Sequence, residues 1–375
     1  ASGGDAANYN WSISGQPSWL SIDATTGKLS GTPPAGSAGN TYTFTVSVTD
    51  GQQTASKQFD LTVKSPPPTA DFEANVTVGT APLTVTFIDK SVGTITQWQW
   101  DFDNDGVTDS TDQNPIWAFT SPGWYTVKLT VSDGVESSTC VKEKYILVAD
   151  SIYYVDGVNG DDANGGMSWG DAFATIGQAL SVADDYDLVF VADATYGETS
   201  LSFNGKKIYL KGVDHNTAGE RPVIDCQGNG RAFYFASGET EDCVIDNFVI
   251  KNGKTRWASG GAIYCYLTSL HIRNCAFVGN IADGDGGAIY CYSGSPTITN
   301  CTFSDNSAAG SYSCGGAICC YSSGSTITNC TFSGNSADYG GAVYCTFSSP
   351  AMTNCVFSGN SACLLYTSPS PRDRG

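Results

Sequence analysis

The hexapeptide Gly260-Gly-Ala-Ile-Tyr-Cys265 decides the fold, because close copies of it return at regular intervals along the chain. The copies are Gly286–Cys291, Gly315-Gly-Ala-Ile-Cys-Cys320 and Gly340-Gly-Ala-Val-Tyr-Cys345. Each copy precedes a strand-like segment with an asparagine in the same register, at intervals of 26, 29 and 25 residues: Asn274, Asn300, Asn329 and Asn354. A unit of this length cannot bury a core of its own, so the copies must stack on one another.

The composition of the repeat selects the kind of stack. Leucine-rich repeats need leucine at fixed positions, and leucine is almost absent from these copies. Helical repeats need an apolar period of about 3.6 residues, which is also absent. Strands joined by glycine turns therefore coil into a parallel β-helix, whose successive coils lie about 4.8 Å apart.

Identical residues of successive coils should form ladders. We predict an internal aromatic ladder of Phe277, Phe303, Phe332 and Phe357, and a second internal wall of Ile263, Ile289, Ile318 and Val343. The four asparagines of the repeat should stack at a bend, with their amides hydrogen-bonded along the axis. Ahead of the copies, Tyr153 to Asp156 predicts a strand, and residues 172–184 predict a helix with Asp171 as its N-cap.

These motifs resemble the right-handed β-helices of the pectin-lyase-like superfamily. More closely, Gly-Gly-x-Ile-Tyr followed by Asn-x-Thr-Phe-Ser-x-Asn-Ser-Ala resembles the repeats of secreted bacterial surface proteins and polymorphic outer-membrane proteins. The resemblance covers residues 150–362. It implies a right-handed parallel β-helix with a short capping helix, which we expect to be truncated at its C-terminal end, and it is specific for fold rather than for function.

Two small β-sandwich modules are predicted before the β-helix. In residues 1–64, Tyr42, Phe44, Val46 and Val48 alternate with polar residues, which is typical of a half-buried strand. The segment from residue 11 to residue 33 resembles the Ig-like, or cadherin-like, modules of bacterial surface proteins, with the first strand missing. A stiff linker, Ser65-Pro-Pro-Pro68, follows.

Residues 65–149 form the second predicted module. Its motifs are Trp100-Asp-Phe-Asp103, Asn114-Pro115, Gly123-x-Tyr125-x-Val127 and Val131-Ser-Asp-Gly134. They closely resemble a PKD domain. The resemblance implies a spacer or adhesion unit of extracellular enzymes and surface proteins, with no catalytic role of its own.

Residues 363–375 break the repeat pattern abruptly. The segment from Cys363 to Asp373 resembles the translation of a sequencing adapter, whereas the alternative is a genuine Pro/Ser linker. We treat residues 363–375 as an artefact and leave them out of the fold prediction.

The composition excludes several classes of protein. The chain has 375 residues, with 18 Lys and Arg against 37 Asp and Glu, and a net charge of −19. This charge argues against a nucleic-acid binder, which needs a basic surface. A content of 41% hydrophobic and 15% charged residues argues against disorder. No apolar run approaches the roughly 18 residues that a membrane helix needs.

An acidic loop follows the Trp100 strand of the second module. Asp101, Asp103 and Asp105, closing on Gly106, fit the opening half of a D-x-D-x-D-G calcium loop. Asp109 and Asp112 follow downstream. Alternate carboxylates that close on a glycine turn suit a hard cation such as Ca²⁺. The glutamate expected at the twelfth position is missing, however, and Asp112 stands there. The loop is therefore either a calcium site or an Asp-rich hairpin turn.

Two columns of cysteines run through the repeats. They are Cys265, Cys291, Cys320 and Cys345, and Cys275, Cys301, Cys330 and Cys355. Strand alternation places both columns on the inward side. They are either buried thiols that pack as small apolar groups, or disulfides between coils, since stacked Cα atoms about 4.8 Å apart lie within disulfide range. The absence of a Cys-x-x-Cys or His pairing disfavours a metal site.

Candidates for catalysis are few. Enzymes of this fold use clustered carboxylates, yet residues 260–362 hold only five charges: Arg273, Asp283, Asp285, Asp305 and Asp338. His271 and Arg273 lie two apart on one predicted strand, so we expect both to point outward. Such a pair could hold an anionic sugar, or could simply belong to a solvated strand face.

Tyrosines take the outward place between inward residues of the repeat. Tyr264, Tyr290 and Tyr344 form one such set, and Tyr266, Tyr292 and Tyr321 lie just beyond the cysteines. A stripe of tyrosines along a solenoid could stack against sugar rings or bind a protein. The alternative is that the rings stack on one another and stabilise the coils.

The sequence therefore predicts an all-β protein: two small β-sandwich modules, Ig/cadherin-like and PKD, followed by a right-handed parallel β-helix with a short capping helix. We expect an extracellular or cell-surface adhesin that binds glycans or surface proteins, without catalysis in this part. Two alternatives stay open. One is a polysaccharide lyase or glycoside hydrolase with catalytic coils beyond residue 362, and the other is a structural spacer. Ca²⁺ is the one cofactor considered, and nucleic acid is not an expected partner.

Overall fold

The computed structural model describes residues 9–363, whose regular secondary structure is almost wholly β-strand. They divide into two compact units: residues 9–75, 86–115 and 126–143, and residues 76–85, 116–125 and 144–363. The module boundaries at residues 64 and 149 stay predictions. The proposed artefact, apart from Cys363, lies outside the described residues.

Residues 9–64 form short antiparallel strands. A three-stranded sheet and a separate hairpin consist of Asn10–Ser14, Thr41–Thr49 and Thr54–Thr62, and of Leu20–Ile22 and Leu29–Gly31. The predicted alternating strand is present, and its Phe44 is buried and stacks on Phe59 at 6.2 Å between ring centroids. Residues 9–64 thus form a small antiparallel β-structure, as the alternation of apolar and polar residues predicted.

The second predicted module contains seven strands: Phe72–Ala74, Val78–Thr80, Leu83–Asp89, Gln97–Asp101, Ile116–Phe119, Gly123–Ser132 and Ser137–Ala149. Trp100 is fully buried and lies 5.2 Å from Phe72 and 5.4 Å from Phe87, measured between ring centroids. Its indole N–H donates to the carbonyl of Asp112 at 2.9 Å, so the buried nitrogen is satisfied. The Trp-Asp-Phe-Asp motif thus supplies the core of this module.

A strand and two short helical turns lead into the coils. They are Ile152–Val155, the 3₁₀ turn Trp169–Asp171 and the α-helix Ile176–Val182. The predicted helix over residues 172–184 was too long and its cap was wrong. Thr175 is the N-cap, with its side-chain oxygen accepting from the Gln178 N–H, because residues 172–175 are still extended. Asp171 instead accepts from the Gly165 N–H.

The coils form a parallel β-solenoid of about six turns with four sheets. Sheet A consists of Ile152–Val155, Leu188–Ala192, Tyr209–Val213, Val244–Asp246, His271–Arg273, Thr297–Thr299, Thr326–Thr328 and Ala351–Thr353. Sheet B consists of Thr195–Tyr196, Val223–Asp225, Val249–Lys251, Ala276–Val278, Thr302–Ser304, Thr331–Ser333 and Val356–Ser358. Sheet C consists of Phe233–Phe235, Ile263–Tyr266, Ile289–Tyr292, Ile318–Tyr321 and Val343–Thr346. Sheet D consists of Lys254–Thr255, Ile281–Ala282, Ser307–Ala308, Ser336–Ala337 and Ser361–Ala362.

The predicted apolar ladders are confirmed. Neighbouring phenylalanine rings are nearly parallel and stacked, with centroids 4.8–4.9 Å apart, along the ladder of Phe277, Phe303, Phe332 and Phe357. The first three rings are fully buried, whereas Phe357 is 51% exposed. The wall of Ile263, Ile289, Ile318 and Val343 is in register from strand to strand. These side chains fill the inside of the solenoid.

The predicted asparagine ladder at the bend is also present. The side-chain amide of Asn300 donates to the amide oxygen of Asn274, and that of Asn329 donates to Asn300, both at 3.3 Å. These residues and Asn354 have φ between 53° and 56°. Asparagine tolerates this left-handed conformation better than most residues, which explains its place at the turn.

A second asparagine ladder, which the sequence analysis did not single out, lies inside the coils. Its members are Asn280, Asn306, Asn335 and Asn360, and the first three are fully buried. Each side-chain nitrogen donates to a backbone carbonyl of the preceding coil, and the first three also donate to the next asparagine. The signal was available, because each of these asparagines stands three residues after a ladder phenylalanine.

Candidate functional site

The paired glycines of the repeat are turns in which two coils approach closely. The first glycine of each pair has φ between 62° and 72°: Gly260, Gly286, Gly315 and Gly340. A Cβ on the second glycine, Gly261, would lie 2.1 Å from the carbonyl oxygen of Gly287 in the next coil. Close backbone packing between coils therefore accounts for the paired glycines.

The two cysteine columns lie inside the coils. Cys265, Cys291 and Cys320 are fully buried and in register along sheet C. In the other column each sulfur contacts the backbone carbonyl two residues earlier, as Cys275 does with Arg273 at 3.2 Å. The structure carries the cysteines as free thiols. The inward placement is confirmed, and the choice between thiols and disulfides stays a prediction.

His271 and Arg273 flank the buried Ile272, so both lie on the outward side as expected, and both are half-buried. The Arg273 Nε donates to the Asp246 carboxylate at 3.0 Å, and its Nη2 donates to the Tyr209 hydroxyl at 2.6 Å. The Tyr209 hydroxyl also donates to Asp246, so three coils are joined in one network. Burial, with the nearby Lys144 and Arg273 cations, lowers the pKa of His271. Arg273 is thus held by its neighbours in the coils, and ligand binding by the pair stays a prediction.

Three carboxylates of the predicted calcium loop lie together. The ligand oxygens of Asp101, Asp103 and Asp109 lie within 4.8 Å of one another, which makes them a candidate cation site. Burial first, and then the neighbouring carboxylates, raise the pKa of Asp103. The other two members are not in this group. Asp105 accepts from the Val107 N–H, and Asp112 contacts Trp100 through its backbone carbonyl.

A lysine already neutralises the innermost carboxylate of this loop. The Lys128 Nζ lies 3.1 Å from the Asp101 carboxylate, which also accepts from the backbone N–H of Gly106 at 3.0 Å. Burial acts to raise the pKa of Asp101, but the bonds from Lys128 and Gly106 outweigh it and the pKa is lowered. The contacts of this loop are therefore compatible with an Asp-rich turn in which Lys128 supplies the positive charge.

The tyrosines of sheet C form stacked rows. In the inner row, Tyr234, Tyr264 and Tyr290 are stacked with centroids 5.3 and 5.6 Å apart. Cys319 takes the next place and separates them from Tyr344. The outer row stacks at 5.4 and 5.2 Å and consists of Tyr266, Tyr292 and Tyr321. At this spacing the rings cover one another's faces, an arrangement that supports the coils. Ligand binding by Tyr264, Tyr290 and Tyr344 stays a prediction.

Tyr234, which was not among the predicted site residues, is the first ring of the inner row, as Tyr266, 40% exposed, is the first ring of the outer row. Tyr234 belongs to the first strand of sheet C, and Leu201 of the preceding coil bridges to Phe233. This register puts Ser202 beside Tyr234, and a serine leaves that side of the ring open. Tyr234 is accordingly 45% exposed.

A groove of about 900 Å³ opens beside Tyr234. Its walls are made of hydroxyl, amide, glycine and cationic residues: Ser200, Ser202, Asn204, Gly228, Asn229, Gly230, Arg231, Tyr234, Ser237, Lys254, Thr255, Arg256 and Ala258. The guanidinium carbon of Arg231 lies 5.6 Å from the Tyr234 centroid and 5.0 Å from the Tyr264 centroid. The sequence signal for this site was Lys254-Thr-Arg256-Trp257, two cations next to a tryptophan.

Three family models match the chain. "Putative Ig domain" matches residues 1–64, "PKD domain" matches residues 63–148, and "Right handed beta helix region" matches residues 206–371. The chain carries these three modules. The predicted all-β fold class is therefore confirmed, with the hand of the β-helix given by the family model.

Solved structures with similar parts are known. The PKD1 domain of the Vibrio cholerae metalloprotease PrtV is 36% identical and matches 22% of this chain and 95% of its own, with a TM-score of 0.18. A rhamnogalacturonan lyase is 20% identical over 55% of this chain and 56% of its own, with a TM-score of 0.39. The titin domains z1z2 in complex with telethonin are 20% identical over 37% and 80%, with a TM-score of 0.20. No curated protein matches the chain.

The modules define a broad class of protein. PKD and Ig-like domains generally mediate protein or carbohydrate interactions, and PKD and β-helix domains are typical of extracellular proteins. Their combination is that of modular surface or carbohydrate-related proteins. Among residues 9–363, no helix is long and apolar enough to cross a membrane.

Proposed function

We propose that this is an extracellular or cell-surface adhesin-like protein whose β-helix binds glycans in the groove beside Tyr234, without catalysis in the described part. The observation that carries the proposal is the half-exposed ring of Tyr234 in a groove lined by polar side chains. Ser200, Ser202, Asn204 and Asn229 offer donors and acceptors for sugar hydroxyls, while an aromatic face packs on the C–H face of a sugar.

An exposed tryptophan next to the groove supports this proposal over a purely structural spacer. Trp257 lies between the groove residues Arg256 and Ala258, is 94% exposed and has φ of 54°. A bulky residue in this conformation costs on the order of 1–2 kcal/mol, and exposing an indole adds an unfavourable term. Strain of this kind is retained at functional sites more often than in inert scaffolds.

The test compares two tyrosines of the same sheet in the full chain. Tyr234→Ser removes the open ring, whereas the control Tyr292→Ser removes a ring stacked on both sides. Binding of a panel of neutral and acidic oligosaccharides is measured together with the melting temperature. We expect the Tyr234 variant to lose binding with a fall in melting temperature no larger than that of the Tyr292 variant, which should keep binding.

Other outcomes would change the conclusion. If no oligosaccharide binds the unmodified chain, the proposal fails and the spacer alternative is favoured. Cleavage of an oligosaccharide during incubation would favour the enzyme alternative. The prediction that Tyr264, Tyr290 and Tyr344 bind a ligand is tested in the same panel by the variants Tyr290→Ser and Tyr344→Ser.

A further inference from the structure

The groove beside Tyr234 has a charge opposite to that of the whole chain. Acidic residues outnumber basic ones 37 to 18, yet the walls contain Arg231, Lys254 and Arg256 and no acid. Within residues 9–363, none of these three cations has a carboxylate at ion-pair distance. The nearby Lys251, in contrast, pairs with Asp225 at 3.4 Å. The groove thus holds three cations outside any ion pair, whereas the neighbouring carboxylates, Glu239 and Asp283, accept from the backbone N–H groups of Ser237 and Trp257.

Arg231 is fixed in place without an anionic partner. Its half-buried guanidinium lies against the rings of Tyr234 and Tyr264, an arrangement that cation–π attraction favours. Burial lowers the pKa of Arg231, although an arginine stays charged at neutral pH. Partial burial of an unpaired charge is unfavourable, so an anion that enters the groove would recover part of this cost.

Lys254 and Arg256 extend the positive wall. Thr255 between them is buried, and its hydroxyl donates to the Ala258 carbonyl at 3.0 Å, so strand alternation turns the two cations outward. Both are exposed. The exposed Trp257 follows directly, which places an aromatic surface next to charges that can bind anionic oxygens.

We infer that this groove binds an acidic glycan, one whose sugars carry carboxylates or sulfates, through Arg231, Lys254 and Arg256. The inference rests on the proposed function and adds the class of ligand to it. The hydroxyl and amide side chains of the groove can form hydrogen bonds with sugar hydroxyls, and its aromatic rings can pack against the apolar faces of sugar rings. Three cations on a chain with a net charge of −19 are too few to attract a nucleic acid.

The experiment uses the full chain and three oligosaccharides of equal length: an oligouronide, a sulfated oligosaccharide and a neutral one. Binding is measured by calorimetry at low and at high salt. We expect an acidic oligosaccharide to bind more tightly than the neutral one, and its affinity to fall as salt rises. Comparison of the oligouronide with the sulfated oligosaccharide identifies which anionic group is preferred. Tighter binding of either one than of the neutral oligosaccharide supports the inference.

Variants then assign the binding to the three cations. Arg231→Gln and the double variant Lys254→Gln with Arg256→Gln should each weaken acidic-glycan binding about 10- to 100-fold, since each removes charge-assisted hydrogen bonds. Lys251→Gln is the matched control and should leave the affinity unchanged. Melting temperatures show whether each variant is folded.

The two proposals can fail separately. Equal binding of neutral and acidic oligosaccharides, unaffected by Arg231→Gln, would overturn this inference and leave the proposed function standing. Binding of a DNA duplex or an acidic peptide in preference to every acidic glycan would also overturn it. If no glycan binds, both proposals fail.

Discussion

The side-chain amide of Asn306 donates a hydrogen bond of 2.9 Å to the amide oxygen of Asn335, one coil further along the β-helix. The same nitrogen donates to the backbone carbonyl of Phe277, and the oxygen of Asn306 accepts two bonds from Asn280. The buried side-chain amide of Asn306 thus makes all four of its possible hydrogen bonds, two as donor and two as acceptor. The ladder ties successive coils together where water cannot replace a lost bond.

Replacement of this asparagine should destabilise the β-helix. Asn306→Ala leaves buried donors and acceptors of Asn280, Phe277 and Asn335 unpaired, and we expect a loss on the order of 2–4 kcal/mol in the free energy of unfolding. The control is Asn300→Gly at the exposed ladder, where φ of 54° suits glycine. Chemical denaturation measures both variants, and equal small losses would contradict the importance of the buried ladder.

Arg273 should act on stability rather than on ligand binding. Arg273→Met would leave the Asp246 side chain, 7% exposed, without its cation, and we expect a cost of about 1–3 kcal/mol, since Arg273 is itself partly exposed. The double variant with Asp246→Asn should recover much of this loss because it removes the unpaired charge. Thermal denaturation measures both. Undiminished stability of the single variant would show that the ion pair is dispensable.

The acidic loop should respond to pH through Asp101. Its pKa is lower in the folded chain than in the unfolded chain, so its contribution to stability is present above about pH 4 and is lost as the pH falls through the folded pKa. Asp101→Asn should flatten this part of the acid unfolding curve, followed by tryptophan fluorescence. Asp112→Asn is the control, since Asp112 contacts Trp100 through its backbone. Identical acid curves for Asp101→Asn and the unmodified chain would refute the assignment.

Calcium should have little effect on the same loop. Lys128 already neutralises Asp101, and backbone N–H groups occupy carboxylate oxygens of the loop, so we expect millimolar Ca²⁺ and a chelator to give the same unfolding temperature. Differential scanning calorimetry measures both conditions. A rise of several degrees with Ca²⁺ that disappears in Asp103→Asn would show that the loop is a calcium site.

The cysteine columns can be assigned by counting thiols. Twelve cysteines lie from Cys226 to Cys355, and the structure carries them as free thiols. In denatured protein that has not been reduced, we expect about twelve reactive thiols from this region. Titration with a thiol reagent followed by mass spectrometry gives the count. Missing thiols in pairs, such as Cys265 with Cys291, would instead establish disulfides between coils.

The repeat was sufficient to predict the solenoid and its apolar interior, but the buried asparagine ladder that includes Asn306 was missed. In-register stacking makes every position of a coil equivalent to the same position of the next, so Phe277 and Phe303 had to meet once the interval was known. The stacking of the asparagines at the bend followed from the same equivalence. Outside the repeats this argument is weaker. The capping helix was misplaced because Thr175 and Asp171 offer similar capping chemistry, and only the extended backbone between them decides which one caps.

The sequence by itself thus determined the three all-β modules, the coiling of the repeats and the inward side of each strand. Only the tertiary structure decided which polar groups share a site. Arg231, Tyr234 and Lys254 line one groove, whereas Arg273 is bound by Tyr209 and Asp246 from two earlier coils. Periodicity predicts whether a side chain points inward or outward. It does not predict which side chains meet in the earlier coils, because those coils depart from the repeat and their register cannot be read from it. The groove lies among such coils, and the candidate site therefore emerged from the structure.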